Sequence, residues 1–92
     1  MAKSSTGRSR TSESDRDDIV ATFGANLKAA RLKARLTQVQ LAERAGLLQQ
    51  YISLVESGKQ NVTLVTAKAL ANVVNRDVRS LLAPLRSPTV KR

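Results

Sequence analysis

Two adjacent glutamines, Gln49 and Gln50, are the side chains of this 92-residue chain best suited to specific hydrogen bonding. They follow Gly46 and stand at the predicted start of a short helix, so that both lie on its first exposed turn. A glutamine amide offers a donor and an acceptor, the pair that matches N6 and N7 of adenine in the major groove of DNA. Glutamine is also an ordinary exposed helix former, but its position directly after the turn favours base contact.

The same short helix carries two further candidates for contact with bases. Ser53 lies one turn after Gln49, within reach of a base edge, and Leu54 can pack against a thymine methyl group. Leu48 offers the same apolar contact, and for both leucines an ordinary exposed or partly buried position explains the residue equally well. The predicted base-contacting residues are Gln49, Gln50, Ser53 and Leu54.

Polar residues on both sides of this helix are candidates for contact with phosphate. Gln38 begins the preceding helix, whose positive end favours an anion. Lys59 follows the second helix, and Tyr51 is expected to lean on a phosphate or on the first helix of the chain. The predicted phosphate-contacting residues are Thr37, Gln38, Tyr51, Lys59 and Asn61, with Lys28 as a weaker candidate.

The stretch Leu36–Asn61 must position these side chains, and it predicts two short helices joined by a tight turn. Thr37 can cap the first helix, and Gln40 completes a capping box. Gly46 stands where the chain leaves that helix, a position that favours a left-handed backbone. A helix, a sharp turn and a second helix led by polar residues form the layout of a helix-turn-helix DNA-binding unit.

A longer helix is predicted before this unit, from about Asp15 to Ala34. Its apolar residues recur at spacings of three and four, which gives one continuous apolar stripe. Gly24 costs the helix about 1 kcal/mol relative to alanine and indicates the close packing of a neighbouring element. The residues of the stripe are Ile19, Phe23, Leu27, Ala30 and Ala34.

Two helices are predicted after the unit. Thr63 caps a fourth helix, and Asn75 suits the left-handed position that follows it. Asp77 caps a short last helix through Leu82. The apolar residues of the fourth helix are Leu64, Ala67, Leu70, Ala71 and Val74.

The charge of the chain predicts a polyanionic partner. The formal net charge is +9, and the charges cancel over residues 1–18, so the excess belongs to the rest of the chain. A domain this basic attracts nucleic acid most often, while solubility or anionic lipid are the alternatives. We expect residues 1–14 to form a disordered arm, residues 15–85 to form one DNA-binding domain, and residues 86–92 to form a basic tail.

Several classes of protein are disfavoured by composition. The chain lacks cysteine and histidine, and its seven acidic residues show no convincing pair for acid–base catalysis, so we predict no enzyme, no metal and no cofactor. No apolar run approaches the roughly 20 residues that cross a bilayer, and the start lacks the apolar core of a signal peptide. We therefore expect no membrane association and a cytoplasmic location.

An ordered series of residues resembles the phage-repressor/Cro-type helix-turn-helix family, also called the XRE family. The resemblance extends from about Ile19 to Leu82. It implies an all-α, compact five-helix lambda-repressor-like domain, with the third helix, about Gln49–Ser57, in the major groove. The series consists of Thr37-Gln38, Leu41-Ala42, Ala45-Gly46, Tyr51-Ile52-Ser53, Glu56, Gly58-Lys59 and Asn61.

The family pattern also implies particular pairings. It joins Arg31 to Glu56 as a structural ion pair, and it braces Gln49 with Gln38. Two departures are present: Leu48 stands where a capping serine or threonine is usual, and Val62 stands where proline is common. The capping of the third helix is therefore expected to be less complete.

The resemblance further implies a homodimer on a pseudo-palindromic operator. We predict an interface through Leu81, Leu82 and Leu85, because the last helix is more apolar than one small core requires. An antitoxin-like or controller-type role that includes a protein partner is the main alternative. Sequence-independent binding of DNA or RNA, driven by charge, is a third possibility.

Overall fold

A 21-residue helix, α1, runs from Glu13 to Lys33 in the computed structural model, which describes residues 13–84, with side chains described from residue 19. Four shorter helices follow: α2 Gln38–Ala45, α3 Gln49–Glu56, α4 Leu64–Val73 and α5 Val78–Leu82. The described residues contain no strand, and the predicted all-α, five-helix fold is confirmed. Helix α1 includes Glu13 and Ser14, which were expected in the N-terminal arm. Residues 1–12 of that arm and the 86–92 tail lie outside the described residues.

The helix ends form largely through local hydrogen bonds that the sequence predicts. Thr37 Oγ1 accepts the amide of Gln40 at 3.0 Å, and Gln40 Oε1 accepts the amide of Thr37 at 2.9 Å, which completes the capping box. Thr63 Oγ1 caps α4 by accepting the amide of Thr66 at 3.0 Å, without the reciprocal bond of a capping box. Asn75 adopts the predicted left-handed backbone, with φ of 61°.

The end of α1 differs from its prediction. Helix α1 stops at Lys33, and Arg35 takes a left-handed conformation with φ of 63°, although no glycine marks this turn. The amide of Leu36 then donates to the carbonyl of Arg31 at 3.1 Å, and Leu36 becomes buried. Ala34 lies beyond the helix and is exposed, so its place in the predicted apolar stripe was wrong.

The core consists mainly of aliphatic side chains from all five helices, with Phe23 as its buried aromatic residue. The pairs α1–α3, α2–α3 and α1–α5 pack most extensively. At the α1–α3 crossing, a Cβ on Gly24 would overlap the carbonyl oxygen of Val55, so the predicted close approach is confirmed. The residues buried almost completely are Leu27, Leu41, Ile52, Val55, Leu70 and Leu81.

Two residues predicted on apolar faces are exposed. Ile19, in the second turn of α1, is 49% exposed, and Leu64, the first residue of α4, is 82% exposed. Val65, next to Leu64, is 81% exposed. These residues place apolar surface at one end of the bundle.

A buried asparagine fixes the last helix to the first. Asn26 Nδ2 donates to the carbonyl oxygens of Leu81 at 2.9 Å and Ala83 at 2.7 Å, which satisfies the carboxyl end of α5. The sequence pattern does not predict this contact, because the partners are 55 and 57 residues apart. None of the helices between residues 13 and 84 has both the length and the apolar character needed to cross a membrane.

Candidate nucleic-acid interface

The turn between α2 and α3 sets the direction in which α3 projects. Gly46 has φ of 72°, and its amide and that of Leu47 return to the carbonyl oxygens of Glu43 and Ala42 at 3.3 and 2.8 Å. Hydrogen bonds of this kind close the end of α2 while the chain changes direction. Helix α3 therefore starts at the surface immediately after α2 ends.

Helix α3 has one buried face and one exposed face. Ile52 and Val55 enter the core, as the apolar pattern predicts. Gln49 and Gln50 are fully on the exposed side, Leu54 is 37% exposed, and Ser53 is half-buried between the two faces. Of the four residues predicted to contact bases, three therefore lie on the outer face of a single two-turn helix, and Ser53 lies at the edge of that face.

Leu48 precedes α3 without capping it. Its backbone is extended, with φ of −85° and ψ of 144°, and no side-chain hydrogen bond reaches the first amides of the helix. The side chain is 76% exposed. The incomplete capping expected from leucine at this position is confirmed, so the first N–H groups of α3 are left to water or to an anion.

A buried ion pair joins α1 to α3. Arg31 Nε donates to Glu56 Oε2 at 2.7 Å, and Arg31 Nη2 donates to Glu56 Oε1 at 3.0 Å. The side chains are only 8% and 3% exposed. Arg31 Nη1 also donates to the carbonyl oxygen of Leu36 at 2.8 Å, so the guanidinium holds the α1–α2 turn as well. The structure thus brings the two residues together as the family pattern implies, away from solvent.

The hydrogen bonds continue from this pair to the surface. Gln38 Nε2 donates to Glu56 Oε1 at 3.1 Å, and Gln49 Nε2 donates to Gln38 Oε1 at 2.7 Å. Gln38 is the first residue of α2, and Gln49 is the first residue of α3. One continuous chain of side chains therefore links a buried guanidinium to an exposed amide.

The predicted phosphate-contacting residues lie at the ends of α2 and α3. Thr37 and Gln38 stand at the amino end of α2, where the helix dipole favours an anion. Lys59 and Asn61 are exposed in the loop after α3. Tyr51 is half-buried against the core, and its hydroxyl lies 3.5 Å from the carbonyl oxygen of Asn61, so the end of this side chain contacts the loop after α3.

Lys28 belongs to the same surface more clearly than the sequence indicates. It is exposed on α1 and lines a shallow cleft with Gln38, Ser53, Glu56 and Ser57. The signal in the sequence is its position four residues after Gly24 and three before Arg31, since residues so spaced share a helix face. That face of α1 is the one that contacts α3.

The described surface is strongly basic. Residues 19–84 contain nine lysines and arginines against three acidic residues, and Glu56 is already paired with Arg31. Asp77 is paired with Arg79 at 3.2 Å, and the hydrogen bond from Arg79 holds the pKa of the Asp77 carboxyl below its usual range. The acidic residues therefore leave an excess of six positive charges over residues 19–84.

The residues predicted for a dimer contact differ in their exposure to solvent. Leu81 is only 2% exposed and packs in the core of the monomer, so its assignment to an interface was wrong; the short helix turns this leucine inward against α1. Leu82 is 36% exposed and borders an apolar groove with Ile19, Phe23 and Leu64. Leu85 lies outside the described residues.

Comparison with known proteins gives consistent matches. The model of a helix-turn-helix family matches residues 27–81. An immunity repressor protein of Bacillus phage phi105 is 38% identical over 61 residues, which are 66% of this chain and 42% of the phage protein. Control protein C.SmaI of Serratia marcescens is 42% identical over 65 residues, which are 71% of this chain and 77% of that protein. The chain thus spans less than half of the phage repressor.

Solved structures with the same fold are also regulators by name. The restriction-modification controller protein C.AhdI from Aeromonas hydrophila superposes with a TM-score of 0.65 at 35% identity, over 67% of this chain and 94% of its own. The hypothetical transcription factor NHTF from Neisseria gives a TM-score of 0.70 at 28% identity, over 76% of this chain and 80% of its own.

Proposed function

The chain belongs to the XRE-type helix-turn-helix family and is a DNA-binding transcriptional regulator, and from this premise we propose that it binds a pseudo-palindromic operator as a homodimer. In this proposal α3 lies in the major groove. Gln49, Gln50, Ser53 and Leu54 contact base edges there.

The observation that carries this assignment is the hydrogen bond from Gln49 to Gln38 at 2.7 Å. An exposed glutamine ordinarily samples many rotamers, and ordering it on binding costs conformational entropy. Here the first residue of α3 is exposed to solvent and is nevertheless held by a neighbouring helix. This arrangement supports a base contact by Gln49, because its side chain is already ordered before DNA binds.

Contacts with the phosphate backbone are proposed on both sides of α3. Thr37 and Gln38 stand at the amino end of α2, and Lys59, Asn61 and the hydroxyl of Tyr51 lie at the other end of the unit. Lys28 extends the surface along α1. Contacts of this kind place the helix in the groove and bind every sequence alike, while the outer face of α3 selects among sequences.

The dimer is proposed to form at the end of the bundle where apolar side chains are exposed. Leu82 lies beside Ile19 and Leu64 at the apolar groove, and Leu85 follows three residues later in the chain. A two-fold contact would set two α3 helices about 34–36 Å apart, one turn of DNA. The spacing between operator half-sites follows from that distance.

Selection of bound fragments from random DNA, followed by footprinting, tests this function. We expect a pseudo-palindromic site protected on one face of the duplex over two successive major grooves. The Gln49→Ala variant, carried through the same selection, should lose preference at one base pair in each half-site. Recovery of no common sequence by the unaltered protein would exclude sequence-specific regulation.

A second candidate function includes a protein partner. Val65 is 81% exposed and does not line the groove beside Leu82, which gives apolar surface beyond the residues proposed for the dimer. Stoichiometric co-purification of another protein that Val65→Ser releases would favour this antitoxin-like or controller-type role. The family and the relatives of this chain are transcription regulators, so we propose no catalytic activity for it. We also propose that the protein is located in the cytoplasm.

A further inference from the structure

A basic cleft lies between the end of α1 and the turn that joins α4 to α5. Two adjoining shallow pockets, of about 230 and 290 Å³, share Ala30, Lys33 and Arg76 and therefore form one cleft, here called the α1–α5 cleft. Lys33 and Arg76 are exposed, and Ser80 lines the cleft from α5. None of its lining residues belongs to the surface proposed above for contact with DNA.

The α1–α5 cleft lies on a different side of α1 from α3. At 3.6 residues per turn, Lys33 lies about 180° around the helix axis from Gly24, which meets Val55 of α3. It lies about 140° from Lys28, the residue of α1 that borders the proposed DNA surface. The charge of Lys33 is therefore directed away from that surface.

The positive charge of the cleft is not compensated within residues 19–84. These residues include three carboxylates, and none of the three lines the cleft. Two of them, on Glu56 and Asp77, are already paired with other arginines. Within this range Lys33 and Arg76 form no ion pair. Two cations at one cleft without a counter-charge attract an anionic partner.

Apolar side chains form the floor of the cleft. Ala30, Val74 and Leu81 line it and are buried, while the small side chains of Ala29 and Ala34 are exposed along its sides. An acidic side chain carries methylene groups next to its carboxylate. Such a side chain fits this arrangement, because its apolar part can cover the floor while its carboxylate meets a lysine or an arginine.

The size of the cleft and its charge select the class of partner. Each pocket is smaller than the pockets of about 300–1,000 Å³ that enclose most small ligands. Two contacts with phosphate would give a salt slope of only about 2, whereas proteins that hold DNA firmly make about 6–10 such contacts. A protein segment with a few carboxylates needs only a shallow cleft with positive charge beside an apolar floor.

We propose that the α1–α5 cleft binds an acidic segment of a partner protein, with carboxylates on Lys33 and Arg76 and apolar side-chain atoms on Ala30 and Leu81. The cleft shares no residue with α3 or with the apolar groove proposed for the dimer. A dimer on its operator can therefore hold such a partner at the same time. The proposal goes beyond the regulation of transcription by DNA binding, and it does not depend on the operator proposed above.

Neutral substitutions test the two cations with little change in shape. Lys33→Gln and Arg76→Gln each remove one positive charge from the cleft. Lys68→Gln is the matched control, because Lys68 is exposed on α4 and does not line the cleft, while its exchange removes the same charge. A thermal melt of each variant confirms that folded proteins are compared.

The probe is a blocked peptide, acetyl-Glu-Leu-Glu-Ala-Glu-amide, titrated into the isotope-labelled full chain while backbone amide shifts are followed by NMR. We expect it to move the amides of Ala30, Lys33, Arg76 and Leu81 in the unaltered protein and in the Lys68→Gln control. Each cleft variant should weaken binding about threefold, as the loss of one exposed ion pair does, and the double variant about tenfold.

Four outcomes would overturn the proposal. A peptide with glutamine in place of each glutamate that binds equally well would show that charge does not hold the partner. Equal weakening by Lys68→Gln would show attraction to the whole surface rather than to the cleft. Inorganic phosphate that binds as tightly as the peptide would make the cleft a site for a free anion. A long duplex carrying the operator and its flanks that moves the cleft amides would assign these cations to DNA.

Binding of the selected operator separates this proposal from the proposed function. Lys33→Gln, Arg76→Gln and Lys68→Gln should bind the operator equally, and the operator complex should bind the peptide as tightly as the free protein does. Peptide binding without operator selection would contradict the proposed function alone. Operator selection without peptide binding, or peptide that the operator displaces, would contradict the docking site alone.

Discussion

Gln49 Nε2 lies 2.7 Å from Gln38 Oε1, and this hydrogen bond joins the first residue of α3 to the first residue of α2. Because Gln38 is also bound to Glu56, the exposed amide is connected to the interior of the bundle. Side chains thus link the starts of α2 and α3 across the turn.

Loss of either exposed glutamine should relax base preference. A good bidentate contact contributes about 1–3 kcal/mol of discrimination, so Gln49→Ala and Gln50→Ala should each lower selectivity at one base pair and leave general binding in place. Competition binding with single-base operator variants measures the ratio. Gln60→Ala, which changes a glutamine of the loop after α3, is the matched control and should keep the preferred sequence. Unchanged selectivity in both α3 variants would remove them from the base contacts.

Lys59 should contribute to binding through charge alone. Each phosphate neutralised by a lysine releases counterions, so Lys59→Ala should reduce the slope of log K against log salt by about one unit for every DNA sequence. Lys68→Ala is the control, since Lys68 is exposed on α4 close to Asp77, away from α3. Equal slopes for Lys59→Ala and the unaltered protein would place Lys59 away from the backbone.

Removal of one partner of the buried ion pair should destabilise the fold. Glu56→Ala leaves the Arg31 guanidinium buried without its counter-charge, which costs about 3–5 kcal/mol, and the midpoint of thermal unfolding should fall accordingly. Arg79→Ala, which breaks the exposed pair with Asp77, should hardly move the midpoint, because water screens that pair. A Glu56→Ala protein that melts at the unaltered temperature would contradict the structural role and reopen a DNA role for both residues.

Gly24→Ala should also destabilise the protein, against the ordinary preference for alanine in a helix. Alanine gains about 1 kcal/mol of helix propensity over glycine. The new methyl group, however, would overlap the carbonyl oxygen of Val55, and separating two packed helices typically costs about 1–3 kcal/mol or more. Chemical denaturation measures the balance. A variant at least as stable as the unaltered protein would show that the α1–α3 crossing has room to open.

A charge placed in the apolar end of the bundle should prevent dimer formation. Leu82→Glu and Leu85→Glu should each give a monomer in sedimentation at micromolar concentration, because burial of an unpaired carboxylate in an apolar contact is costly. Leu32→Glu is the control: Leu32 is 56% exposed and lies near the other end of α1 from Ile19. An unaltered protein that stays monomeric both free and on DNA would refute the dimer, whereas a dimer that tolerates both substitutions would place its interface elsewhere.

Features that depend on near neighbours in the chain could be predicted from the sequence. The capping box of Thr37 and Gln40, the left-handed turn at Gly46 and the cap at Thr63 require only residues up to five positions apart. The position of Gln49 directly after the turn follows from the same local pattern. The left-handed backbone of Arg35 could not be predicted in this way, because no local sequence feature marks it. Arg35 adopts this conformation where Leu36 enters the core.

By itself, then, the sequence determined the five helices, most of their ends and the exposed glutamines of α3, since hydrogen bonds and apolar spacing between near neighbours specify them. Only the tertiary structure decided which leucine of the last helix is buried, that Asn26 holds that helix, and that Glu56 orients Gln38. These contacts join residues 18 to 57 positions apart, and the crossing of the helices brings them together. The physical reason is that burial and hydrogen-bond direction depend on what surrounds a side chain in space, which local spacing does not contain.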